Sequence, residues 1–159
     1  MGHNLNLVHL EGAGVQDLAR LGLVPTGEIR TGDDATSLLA PGPAAHVTPR
    51  GLLVADALMT VADRQAELAV ALGTTVVSVL VASTGDVYSL AVATADGDHR
   101  HVVDSQGERV MDEGRPLPEE AGIDALDEDS TLGLLERLTG VRLDGDLLAG
   151  DFEVLAERA

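Results

Sequence analysis

Hydrophobic and polar positions are patterned most clearly between residues 74 and 111. There TTVVSVLV, VYSLAVAT and HRHVVD form three β-branched runs, broken by Gly85-Asp86 and Asp96-Gly97-Asp98. Short apolar runs separated by glycine and aspartate predict an antiparallel meander, with a further turn at Ser105-Gln106-Gly107. In the first run Val77, Val79 and Val81 share one face, and Val76, Ser78 and Leu80 share the other. Apolar residues on both faces place that strand centrally, covered on each side.

The flanking segments extend this pattern. Asn4 to Leu10 alternates as a strand, and Val15 to Leu21 follows as a short helix with Val15, Leu18, Ala19 and Leu21 on its apolar face. Gly22 stops that helix. The run from Gly51 to Val61 is continuously apolar at its start, which favours a strand over Leu52 to Ala55. Asp63 then reads as the N-cap of a helix through Leu72, closed by Gly73. Ser130 reads as the cap of a helix over Thr131 to Thr139, and Asp144 as the cap of a very short helix ended by Gly150. Phe152, Val154 and Ala156 form the apolar side of a last strand. Residues 25–50 hold four of the six prolines and read as a long, flexible connection with at most one short strand. The sum is one α+β domain over residues 1–159. Its sheet is mainly antiparallel with a central meander, two or three short helices pack on it, and residues 112–129 form an acidic loop.

A chain of 159 residues suits a single domain. The absence of cysteine removes disulfides, thiolate metal sites and cysteine nucleophiles. No run reaches the roughly 18 apolar residues of a membrane helix, and the first residues lack a signal-like pattern, so a cytoplasmic location is the expectation. Ten arginines, no lysine and 27 acids give a formal net charge of -17. The arginines are scattered singly along the sequence, whereas nucleic-acid and anionic-membrane binding need clustered cations. The partners expected are therefore another protein or a second copy of this chain, with no nucleic acid and no membrane.

No familiar catalytic motif is complete. Gly12 and Gly14 lack the third glycine of a dinucleotide fingerprint, since Asp17 stands in its place. Ser83 and Thr84 precede Gly85 without a nucleophile elbow. His99 and His101 lie two apart in a strand, so they face the same way and form the one local pair suited to a metal such as zinc or nickel. Twelve acids fall between Asp96 and Asp129. Of these Asp112, Glu113, Glu119, Glu120, Asp124, Asp127, Glu128 and Asp129 form a candidate acidic binding face. The spacing of Asp124 to Asp129 departs from a calcium loop because Leu126 occupies a ligand position. No catalytic residues and no cofactor are assigned.

The stretch ERLTGVRLDGDLLAGDFEVLAE, residues 136–157, resembles small uncharacterised proteins of actinobacteria and their phages. The arrangement of GTTVVSVLVASTGDVYSLAVATADGDHRH with DEGRPLPEE is similar to the same group. The resemblance covers about half of the chain, supports the element order, and brings no activity with it. The functional expectation is a non-catalytic protein-binding or regulatory module. An acidic antagonist or immunity-type protein that caps a basic partner is the alternative, followed by a carboxylate-dependent enzyme.

Overall fold

In the computed structural model, which describes residues 3–158, nine strands form one sheet. They are β1 (Asn4–Glu11), β2 (Leu23–Thr31), β3 (Ala44–Thr48), β4 (Gly51–Ala55), β5 (Val76–Ala82), β6 (Val87–Ala93), β7 (His99–Ser105), β8 (Glu108–Glu113) and β9 (Asp151–Glu157). The order across the sheet is β2-β9-β3-β4-β1-β5-β6-β7-β8, and every neighbouring pair is antiparallel. The fold is thus α+β with a predominantly antiparallel sheet and a few short helices: α1 (Gly32–Ala35), α2 (Gln65–Leu72), α3 (Glu128–Thr139) and α4 (Gly145–Ala149).

Helices pack on both faces because the central strands are apolar on both. Leu5, Leu7, Val77, Val79 and Leu90 point to the side of α3, where Leu134, Leu135 and Phe152 complete one core. Val8, Leu10, Leu52, Val54 and Val76 point to the other side and meet Leu68 and Ala69 of α2, with Leu18 and Leu21 of the 3-10 segment Val15–Leu21. Each fully buried Leu or Phe side chain contributes about 1.5–3 kcal/mol relative to exposure. The meander β5-β6-β7 stands where the alternation put it, and β8 extends it by a hairpin. The turn of that hairpin is Gln106-Gly107, both with positive φ, at 52° and 80°, as a two-residue hairpin requires.

Four readings of the sequence are corrected. Residues 25–50 are not a long connection: they hold most of β2, all of α1, and β3. β2 is an edge strand that absorbs Pro25 and Gly27 in a register shift between Pro25 and Ile29, a position where proline removes no ladder bond that matters. The cap of α3 is Asp127, not Ser130. The Asp127 carboxylate accepts from Ser130 N at 2.7 Å, and Ser130 Oγ accepts from Asp127 N at 2.9 Å, a reciprocal box that starts the helix at Glu128. Asp63 does not cap α2: it lies inside a 3-10 turn, Ala62–Arg64, that leads into the helix without a side-chain cap, and it is Asp56 that accepts from the amides just before and at the start of that turn, Thr60, Val61 and Ala62 N, at 3.0, 2.9 and 2.8 Å. Burial pushes the Asp56 carboxyl up, against those three bonds. Finally, the acidic stretch 112–129 begins in β8, turns through Pro118–Glu120, and ends in the first turn of α3.

Candidate functional site

The charges of the acidic segment converge on the α3 side of β7 and β8. Arg100, Val102 and Asp104 point to that side, because their partners Val92, Leu90 and Tyr88 belong to the α3 core or its edge. The Arg100 guanidinium, 3 % exposed, donates to both Glu120 oxygens at 3.0 and 2.8 Å and to Asp112. Arg109 grips Asp104 through Nε and Nη2 at 2.5 and 3.2 Å, and reaches Asp112 at 3.3 Å. Asp104 also accepts from Leu126 N at 2.6 Å, and Glu120 from Leu117 N at 2.7 Å. The network therefore clasps residues 114–127 across the sheet. Gly114 permits the crossing, since a Cβ there would collide with the His99 carbonyl oxygen.

The electrostatics follow from this pairing. The Glu120 hydrogen bonds, outweighing burial, push the Arg100 pKa further up. Burial pushes Asp104 and Glu120 up, but Arg109 and Leu126 N–H for the first, and Arg100 and Leu117 N–H for the second, hold both carboxyls below their ordinary values. Asp112 is lowered by the Arg100 hydrogen bond. Arginines that lie singly along the sequence are thus brought together in space, and every strong donor here already has its acceptor.

The other acids of the segment do not join one face. Asp127 caps α3, and Glu128 accepts from His3 N at 2.5 Å and Ser83 Oγ at 2.8 Å. Glu119 is half-buried, while Glu113, Asp124 and Asp129 are exposed. His99 and His101 do share one side of β7, opposite Arg100, with the Glu113 carboxylate 3.9 Å from His99 Nε2. Among the described residues no group of three or more His, Asp or Glu side chains is placed to hold a metal ion.

The α2 side of the same strands is built differently. Along β6 and β7 burial alternates: Tyr88, Leu90, Val92, Arg100, Val102 and Asp104 are buried, while Ser89, Ala91, His101, Val103 and Ser105 are only half-buried; Ala93, at the end of β6 on the second side, is buried in the α2 core. α2 lies against β5 and β6 and stops there. Beyond it the sheet face is open.

Where α2 meets this open face lies a cleft of about 250 Å³, lined by Asn6, Met59, Asp63, Gln65, Ser78, Ser89, Ala91 and His101 among others. Gln65 Nε2 donates to Val76 O at 2.7 Å and Ala91 O at 2.8 Å, and its Oε1 accepts from Ser78 Oγ at 2.8 Å. Asn6 is 2 % exposed, and its Oδ1 has no hydrogen-bond partner among the described residues. His9 Nδ1 and Thr131 Oγ1 are likewise unpartnered, but only Asn6 lines the cleft. Met59, on the rim, holds a positive φ of 58°. A larger hollow of about 550 Å³ lies between the β6-β7 turn and residues 114–118. Its buried charge is Arg100, whose donors are already engaged, and the exposed Arg115 stands on its wall.

Sequence reasoning missed both arrangements. Arg100 and Asp104 stand in the same register as Val102, so two charges on the buried side of a strand were the available signal. Asn6 likewise stands in register with Val8 and Leu10. Comparison with protein-family models, with curated proteins and with solved structures finds no match to this chain. The fold and the site define a two-sided antiparallel sheet protein with half of one face left open. Among the described residues no helix is long and apolar enough to cross a membrane.

Proposed function

We propose that this chain is a non-catalytic protein-binding module whose contact surface is the open α2-side face of β6, β7 and β8, and whose partner is a basic polypeptide. The observation that carries this reading is the alternation of burial along β6 and β7, closed on one side and open on the other. Ser89, Ala91, Val103 and Met111 give the open face a small-residue and apolar centre, and Asp63, Glu108 and Glu113 supply negative charge around it. With a net charge of -17, a basic partner is drawn in by long-range attraction and an acidic one is repelled.

The edges of the sheet are less suited to the role. β8 carries a register shift between its pairings with Val103 and Asp104, and it presents Glu108, Asp112 and Glu113. β2 carries Pro25 and its own irregularity. Both are devices that discourage strand addition, including by a second copy. The antagonist reading would place the contact on residues 112–129, where Asp112, Glu120, Asp127 and Glu128 already have partners within the chain.

The test is a tagged pull-down from a lysate of the source cells at low and high salt. Three proteins are compared: wild type, Ser89→Arg, and the combined Glu119→Gln, Asp124→Asn, Asp129→Asn. The proposal expects a partner that is released by salt, lost with Ser89→Arg, and retained by the triple variant. Retention by Ser89→Arg with loss by the triple variant would move the contact to the acidic segment and overturn it.

A further inference from the structure

We infer that the open face is a berth for one amphipathic helix of the basic partner, seated beside α2 over β7 and β8 between Met59 and Met111. The inference rests on the binding reading above and deepens it. Dimensions set the first condition. α2 lies against β5 and β6. Packed helices stand about 8–10 Å apart, and two strand spacings of about 4.8 Å cover the same distance, so a neighbour of α2 lies over β7 and β8. On the α3 side that ground is covered by residues 114–127, clasped through Arg100 and Asp104. Among the described residues the chain supplies no such cover on the α2 side.

The rims suit such a helix. On β8, Glu108, Met111 and Glu113 stand opposite Ser105, Val103 and His101, which sets acid, methionine and acid along one edge. The facing wall is α2 and the loop before it, with Met59, Asp63 and Ala66. Between them the floor of Ser89, Ala91 and Val103 is low enough for a helix to settle close to the sheet. Methionine is unbranched and adaptable, and exposed methionines recur on surfaces that receive the apolar face of a helix. Met59 and Met111, 36 % and 38 % exposed, border the same trough. Met59 also holds left-handed backbone at φ 58°, fixed by its N–H on Asp56 O at 2.9 Å and by Asp63 N–H on its carbonyl at 3.0 Å. Glycine would avoid that strain, and strain of this kind collects at functional contacts. α2 itself has Glu67 as its one charged residue and exposes Ala66 and Val70, an apolar surface suited to a neighbouring helix.

Charge fixes the occupant. Asp63 on one rim, and Glu108 and Glu113 on the other, call for lysine or arginine on both sides of an apolar stripe. Arg100 and Arg109, the arginines of β7 and β8, turn to the α3 side and leave these rims unneutralised. A second copy of the chain, at -17, is repelled. An extended segment would need a sheet edge, and both edges discourage it.

The test titrates the full chain, labelled with ¹³C at the methionine methyls and ¹⁵N at the amides, with two amidated Leu-Lys peptides of one composition. Each has about 14 residues, roughly 21 Å as a helix. One places leucine at helical spacing, and the other alternates leucine with lysine as a strand does. The berth predicts saturable shifts of the Met59 and Met111 methyls and of the Ala91 and Val103 amides with the helical peptide. Binding of the alternating peptide should be at least roughly tenfold weaker. Met59→Gly should weaken the helical peptide roughly fivefold, as loss of an interface side chain worth about 1 kcal/mol does. Its unfolding midpoint should stay in place, since relief of the left-handed backbone offsets the lost side chain. Ala66→Arg, on the exposed side of α2, should weaken the peptide further by opposing its charge. Equal methyl shifts with both peptides, or shifts confined to residues 112–129, would overturn the berth. A partner captured through the open face with no response to the helical peptide also overturns it, while leaving the binding reading intact. If no partner is captured while the helical peptide seats between the two methionines, the binding reading fails by its own test and the berth stands as a site for a basic helix.

Discussion

The two faces of β6, β7 and β8 are made from alternate residues of the same strands, yet they have opposite characters. On the α3 side Arg100, Asp104, Arg109, Asp112 and Glu120 close on one another beneath residues 114–127. On the α2 side the charges are few, the face is open, and one buried acceptor is unpartnered. A cluster of charges draws attention first, but here its donors and acceptors are consumed internally. The contact proposed above falls on the other side, where α2 stops at β6.

The covering layer sets the scale of the comparison. Leu134 is fully buried in α3 against the sheet, so Leu134→Ala should lower unfolding free energy by about 2–5 kcal/mol, read by urea denaturation. Arg100→Met should come next. It leaves the Glu120 carboxylate, mostly buried, without its partner, at about 3 kcal/mol. That is the low end for a broken buried pair, because Asp112 keeps half of its surface in water. A loss below 1 kcal/mol would show that the clasp is not a structural device.

Asn6→Leu should run the other way. Removing a buried acceptor that has no partner among the described residues should raise stability by about 1–3 kcal/mol, read by urea denaturation. A loss of stability instead would show that Asn6 has a structural partner and would break the comparison.

The two faces should also differ in acid. Asp104 and Glu120 have folded-state pKa values below their unfolded ones. Their contribution is therefore fully present above the ordinary carboxylate pKa of about 4, and is lost as pH falls through the lowered values. Arg100→Met should flatten the acid limb of the stability profile, and Ser89→Arg on the open face should leave it unchanged. The smallest effects belong to Ser89→Ala and Met111→Ala. Both sit on the open face and should shift stability by no more than about 0.5 kcal/mol.

The sequence revealed the elements whose signal is local. Alternation over residues 74–104 was enough for β5, β6 and β7, and Gly73, Gly140 and Gly150 marked helix ends that the structure keeps. It did not reveal β2, which is defined by pairing with β9 more than a hundred residues later, and it left β3 as at most one short strand among prolines, although β3 pairs over five residues with the neighbouring β4 and over only two with β9. Pro25 and Gly27 look like loop residues until an edge position makes them tolerable. The cap of α3 was ambiguous between Asp127 and Ser130, since each residue type caps well and the two act together.

The candidate site was less legible. His99 and His101 were placed correctly on one side of β7, but the eight acids from Asp112 to Asp129 divide among a strand, a clasp and a helix cap. Charge along a sequence does not say which side chains meet an arginine in space. Nor does an asparagine in a strand announce that its amide will be buried without a partner.

The central claim is that the open α2-side face is the contact surface, and carbene footprinting of the captured complex tests it most directly. Met59, His101 and Met111 should be protected relative to the free chain, while Leu117, Glu119 and Asp124 should label equally in both. Protection of Leu117, Glu119 and Asp124 with Met59, His101 and Met111 unchanged would contradict the account.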